Sequence, residues 1–143
     1  MSDFKKRQQL SWEGMFYSIQ RIDLLIVSIC SAGMYVILET VKFLAERNLS
    51  VSWYLKTAGI CFIIGIIINF LSQICGYKAN EQDYLMCELE NNGAKSKKDQ
   101  SKIKKYDKRA EIFSNLTSKL NYVSMGLLAI GLISLLLYFL LTY

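Results

Sequence analysis

Lys95, Lys97, Lys98, Lys102, Lys104, Lys105, Lys108 and Arg109 fall between residues 95 and 109, opposed there only by Asp99 and Asp107. Cationic groups at this density attract phosphate and carboxylate, so the run is a candidate ligand-binding site for a polyanion or an anionic lipid. Its other reading is a solvated segment that sets membrane topology. A second constellation lies in an apolar stretch. Ala58, Cys61, Gly65, Asn69, Ser72 and Gly76 share one arc of a helix, with Gln73 at its margin. Small residues at four-residue spacing let helices approach closely in lipid. An unpaired Asn69 amide facing hydrocarbon is costly, so this face should meet protein or water. Cys61, Gly65, Asn69, Ser72 and Gln73 are therefore candidates for helix packing or, through symmetry, for a pore ring. Packing is the simpler reading of the face taken alone.

Catalytic chemistry finds no support. The chain has no histidine, and its four cysteines, Cys30, Cys61, Cys75 and Cys87, form no Cys-x-x-Cys pair. No glycine-rich phosphate loop, metal-ligand spacing or nucleophile with an adjacent base is present. The chain is expected to be no enzyme and to need no metal or other cofactor. Asn48-Leu49-Ser50 and Asn115-Leu116-Thr117 match the glycosylation acceptor pattern, one short enough to arise by chance.

The elements that must carry these residues follow from the distribution of charge. The chain of 143 residues is 52% hydrophobic yet 20% charged, which requires the two classes to be segregated. Residues 57–77 and 120–143 contain no charge at all. About 20 such residues in a helix cross a bilayer core. Residues 22–46 are less clean, because Glu39 and Lys42 interrupt them. These two lie three apart on one helical face and can pair there. A signal peptide is the alternative for this segment, but no Ala-x-Ala-like site follows it.

The expected architecture is an all-α membrane protein, a single membrane domain over residues 1–143. Residues 1–21 form an interfacial N-terminal helix, with Trp12, Phe16 and Ile19 on one side, or a simple helical lead-in to the first span. Residues 22–46, 54–77 and 120–142 are the three transmembrane helices. Residues 78–119 form a basic cytoplasmic hairpin that extends spans two and three. Within it, Asn91-Asn92-Gly93 breaks the chain. Ile103, Tyr106, Ala110, Phe113, Thr117 and Leu120 then follow the alternating three-and-four spacing of a coiled-coil seam. The connection between spans two and three holds most of the lysines. The positive-inside rule therefore places it and the N-terminus in the cytoplasm, and Tyr143 outside the inner membrane.

The Ser28–Gly33 patch, the Ser52-Trp53 start of the second span and Asn121-Tyr122-Val123-Ser124 at the third give the chain a recognisable layout. It resembles small bacterial membrane effectors encoded beside nucleotidyltransferases in anti-phage systems, in particular the Hailong-type channel subunit. That resemblance implies a homo-oligomeric ion channel in the bilayer, gated by a nucleotide or short oligonucleotide made by the partner nucleotidyltransferase. Its opening would depolarise the infected cell. Two other classes compete. One is a non-catalytic accessory or scaffold subunit of a larger membrane complex. The other is a phage-type holin, against which the long hairpin counts.

Overall fold

The computed structural model describes the backbone over residues 3–91 and 97–142, and side chains over residues 20–89 and 99–142. The Asn92-Gly93 part of the expected break, and the side chains of Trp12, Phe16 and Ile19, lie outside the described residues. The chain is all-helical: α1 is Asp3–Glu46, α2 is Trp53–Asn91 and α3 is Lys97–Thr142. Each contains a segment long and apolar enough to cross a membrane, within Gln20–Glu46, Trp53–Leu89 and Asp99–Thr142. α1 passes residue 21 without interruption. The change from polar to apolar sequence there alters solvent preference and leaves the backbone ladder intact.

α1 stops at a local device. Asn48 adopts the left-handed conformation, with φ of 54°. Its N–H donates to the Ala45 carbonyl (3.1 Å), and the Leu49 N–H donates to the Leu44 carbonyl (2.9 Å). This is the Schellman pattern, and asparagine is one of the few residues with a side chain that visits this region readily. The Arg47 guanidinium lies over the Phe43 ring, 4.3 Å from its centre. The role of Asn48 is thus to end a helix.

Contacts divide the chain into two units. One comprises Met1–Ile66 with Leu127–Tyr143, so all three helices contribute to it. Its buried core takes Ile26, Cys30, Ile37 and Leu44 from α1, Leu55, Ala58 and Phe62 from α2, and Tyr138 from α3. The α1 members recur at intervals of four, seven and seven, which keeps them on one face. Phe62 is fully buried, and Gly33 and Gly131 face its ring from the two other helices. A Cβ at either glycine would overlap the ring carbons. The core therefore closes only because two helices offer bare backbone to one aromatic side chain.

The other unit, Ile67–Gly126, is an antiparallel pair of the remaining parts of α2 and α3. Gly76 lies against Thr117, where an added Cβ would sit 3.6 Å from the Thr117 methyl. Ile103, Tyr106, Ala110, Phe113, Thr117 and Leu120 are all partly buried, and the residues between them are exposed. The same spacing runs on along α3 through Ser124, Gly131, Ser134 and Tyr138, all buried. Its continuation consists of small and polar residues, and the sequence shows it as a weaker stripe on the third span: Asn121, Ser124, Gly131, Ser134 and Tyr138.

Candidate functional site

Three sets of residues could carry function. The first is the polar face of α2. Asn69 and Ser72 are almost fully buried, as is Ser124 of α3. The Gln73 amide donates to Asn69 Oδ1 (3.1 Å). The Ser72 hydroxyl is within donating distance of the Thr117 carbonyl (3.1 Å) and of Asn121 Oδ1. The Ser124 hydroxyl donates to the Asn121 carbonyl (2.9 Å). The antiparallel register set by Ser72–Asn121 and Gly76–Thr117 brings Asn69 level with Ser124. These polar groups are satisfied inside one hairpin, where they let α2 and α3 sit close. Gly65 is buried, Cys61 is partly buried, and Gln73 alone of the five candidates is exposed.

The second set is the basic run. Lys102, Lys104, Lys105, Lys108 and Arg109 are all exposed on α3. The side chains of Lys95, Lys97 and Lys98 lie outside the described residues. Lys78 binds Glu81 (2.7 Å) on α2, and no charged side chain of the basic run has an acidic partner within 4 Å among the described residues. The charges are spread around the exposed sides of the helix and do not converge on a pocket. Tyr106 is partly buried in the seam, so its ring belongs to packing.

The third set is on α1, and its pattern went unread in the sequence. Ser28, Ser31, Tyr35, Glu39 and Lys42 are exposed, and they recur at intervals of three and four. Successive residues of a helix turn by about 100°, which places this stripe directly opposite Ile26, Cys30, Gly33, Ile37 and Leu44. The outward faces of the other two helices are different. α2 shows Ile60, Ile67 and Ile74, and α3 shows Ile133, Leu136 and Leu140, all more than half exposed. One helix in three thus turns a polar, charged face outward over its apolar segment. The expected pairing of Glu39 with Lys42 is not formed within 4 Å. Such an exposed pair gains little, because water screens it and two long side chains must be held still.

Among the described residues no group of His, Cys, Asp or Glu is placed to hold a metal ion. Comparison with protein-family models, with curated proteins and with solved structures finds no match.

Proposed function

We propose that the chain assembles into a homo-oligomeric channel of the bacterial inner membrane, and that the α1 stripe faces its aqueous path. The observation that carries this reading is the exposed row Ser28, Ser31, Tyr35, Glu39 and Lys42 over the apolar segment of α1. Three helices cannot enclose a useful pore alone, so an aqueous path needs several copies around an axis. A charged side chain held at the centre of a lipid-facing helix costs about 2.5–3.5 kcal/mol on insertion scales. Glu39 and Lys42 stand toward the end of the segment, where the cost is smaller and long side chains reach the interface. Turning them toward water removes what remains, while the aliphatic faces of α2 and α3 meet lipid. Gln73, exposed on α2, is the further polar side chain available to a ring.

The N-terminus and the basic run are assigned to the cytoplasm and Tyr143 to the outside. The basic run is the assigned site for an anionic nucleotide or short oligonucleotide, and gating by such a ligand fits a role in anti-phage defence. α3 supports that coupling, because one unbroken helix carries residues 97–109 of the basic run and the third apolar segment.

The stripe is tested in planar bilayers with the purified full-length protein, with and without a short oligonucleotide. Glu39→Lys should move the reversal potential toward anions, and Leu140→Ala on the lipid face should not. Persisting conductance with unchanged selectivity would show that Glu39 is not on the ion path. For the ligand, replacing Lys102, Lys104, Lys105 and Lys108 by Gln should abolish oligonucleotide binding. Binding to the unmodified protein should also weaken steeply with salt, by roughly 0.7 log units per decade of salt for each phosphate contacted. Absence of binding at low salt would leave the run as a topology signal.

A second reading is an accessory or scaffold subunit of a larger membrane complex. It is favoured by the burial of Asn69 and Ser72, which places the most polar side chains of α2 in packing within the chain. Under it the purified protein conducts under no condition and binds a partner through its helix faces.

A further inference from the structure

Among the described residues the α2–α3 hairpin has two flanks of opposite charge, and apart from Lys78 with Glu81 neither carries an ion pair within the chain. In an antiparallel pair of right-handed helices, residues that immediately follow seam positions lie on one flank of the pair. Residues that immediately precede them lie on the other. On α3 the seam residues Ile103, Tyr106 and Ala110 are preceded by Lys102, Lys105 and Arg109, all exposed. Tyr106 and Ala110 are followed by Asp107 and Glu111, also exposed. On α2 the partly buried Gln82 and Met86 are followed by Asp83 and Cys87, both exposed. One flank therefore gathers Asp83, Asp107 and Glu111 around Cys87, with Lys104 as its cation. The other gathers Lys102, Lys105 and Arg109, beside Glu88 and the internally paired Lys78 and Glu81. The basic flank continues into Ile112, 54% exposed, and Leu116, 40% exposed.

We propose that each flank is covered by the opposite flank of a second copy of the chain. The acidic side of one hairpin then packs on the basic side of the next. This rests on the homo-oligomeric reading above and names the contact that builds the ring. Charge complementarity selects the occupant: the acidic flank repels a polyanion, and a hairpin presenting both signs matches itself in a head-to-tail sense. Such a contact is heterologous, and it closes into a ring when the rotation between copies closes. Ile112 and Leu116 supply the apolar surface that a charged contact needs to exclude water. In the ring the contact claims Lys102, Lys105 and Arg109, so of the described basic side chains Lys108, which sits off both flanks, is left to an anion from solution. Lys108→Gln alone should weaken oligonucleotide binding without changing the mass of the oligomer.

The experiment measures the mass of the full-length chain in detergent and in nanodiscs. Asp107→Lys with Glu111→Lys sets two basic flanks against each other and should abolish the oligomer. Lys105→Glu with Arg109→Glu should do the same. All four substitutions in one chain exchange the flanks and should restore assembly. A cross-link reads the contact with the charges largely intact. Cys87 lies level with Tyr106, one residue from Lys105, in the antiparallel register, so Lys105→Cys should yield covalent multimers beyond the dimer on oxidation. The unaltered chain should yield none. Dimers formed through Cys87 alone would mean a two-fold contact and would overturn the proposal. So would an oligomer that survives either flank reversal, and in that case the homo-oligomeric reading stands. An unaltered chain that is monomeric in both media sinks both.

Discussion

Phe62→Ala should destabilise the three-helix unit by about 3 kcal/mol, read as a fall in the thermal midpoint of the purified protein in detergent. Truncating a buried phenylalanine costs roughly 3–5 kcal/mol in water-soluble cores, where a transfer term and a cavity term add. In lipid the transfer term shrinks, because the surrounding chains are as apolar as the core. What remains is the lost contact of a ring held between Gly33 and Gly131, which places the expectation at the lower end. The glycines give the converse test. Gly33→Ala and Gly131→Ala each push a methyl group into ring carbons, and overpacking of this kind costs about 1–3 kcal/mol. Phe62→Leu in the Gly131→Ala background should recover part of that loss, since the two changes share one space and cannot add. Additive losses would mean that the ring and the glycine do not meet.

That interlock marks the boundary of what the residues reveal before they are folded. Uncharged runs over residues 57–77 and 120–143 are long enough to identify two helices outright. Segment 22–46 is identified despite Glu39 and Lys42. The apolar half of the α3 seam is legible because Ile103, Tyr106, Ala110 and Phe113 contrast with lysines around them. Its continuation through Ser124, Gly131 and Ser134 is legible by a different signal, a stripe of small and polar residues of the kind that helix packing in a membrane uses. Gly33, Phe62 and Gly131 are single residues on three helices, and no local spacing relates them. Asn48 reads as a glycosylation acceptor in sequence, whereas its backbone conformation makes it a helix terminator.

The α1 stripe is the instructive omission among the candidate sites. Ser28 and Ser31 are legible as small residues, and Glu39 and Lys42 as a possible ion pair. Their common face emerges only against the buried one, because leucines and isoleucines on both sides of the stripe obscure the period. Asn69 and Ser72 present the opposite case: their polar face is legible in the sequence, and only the antiparallel register shows that Ser72 meets Thr117 and Asn121 of α3.

Ser72→Leu should separate α2 from α3 in the two-helix unit, and Ser72→Ala should barely be felt. Ser72 is 1% exposed and stands level with Asn121, one turn before the point where Gly76 meets Thr117. Two effects compete to explain why a serine is there. If its hydrogen bonds to Thr117 and Asn121 hold the pair together, alanine and leucine should be equally harmful. Hydrogen bonds between membrane helices are worth on average about 0.6 kcal/mol, because the separated helices find other partners. Forcing extra methyl groups between two close backbones costs about 1–3 kcal/mol, with no compensating gain from burial in lipid. Sterics should therefore win. Thermal midpoints in detergent, with accessibility of the partly buried Cys75 to a thiol reagent as a local readout, separate the two explanations. Leu71→Ser, on the exposed neighbour, controls for a change of polarity at the same depth. A loss with Ser72→Ala as large as with Ser72→Leu would assign the contact to hydrogen bonding and refute close packing as the reason for the small residue.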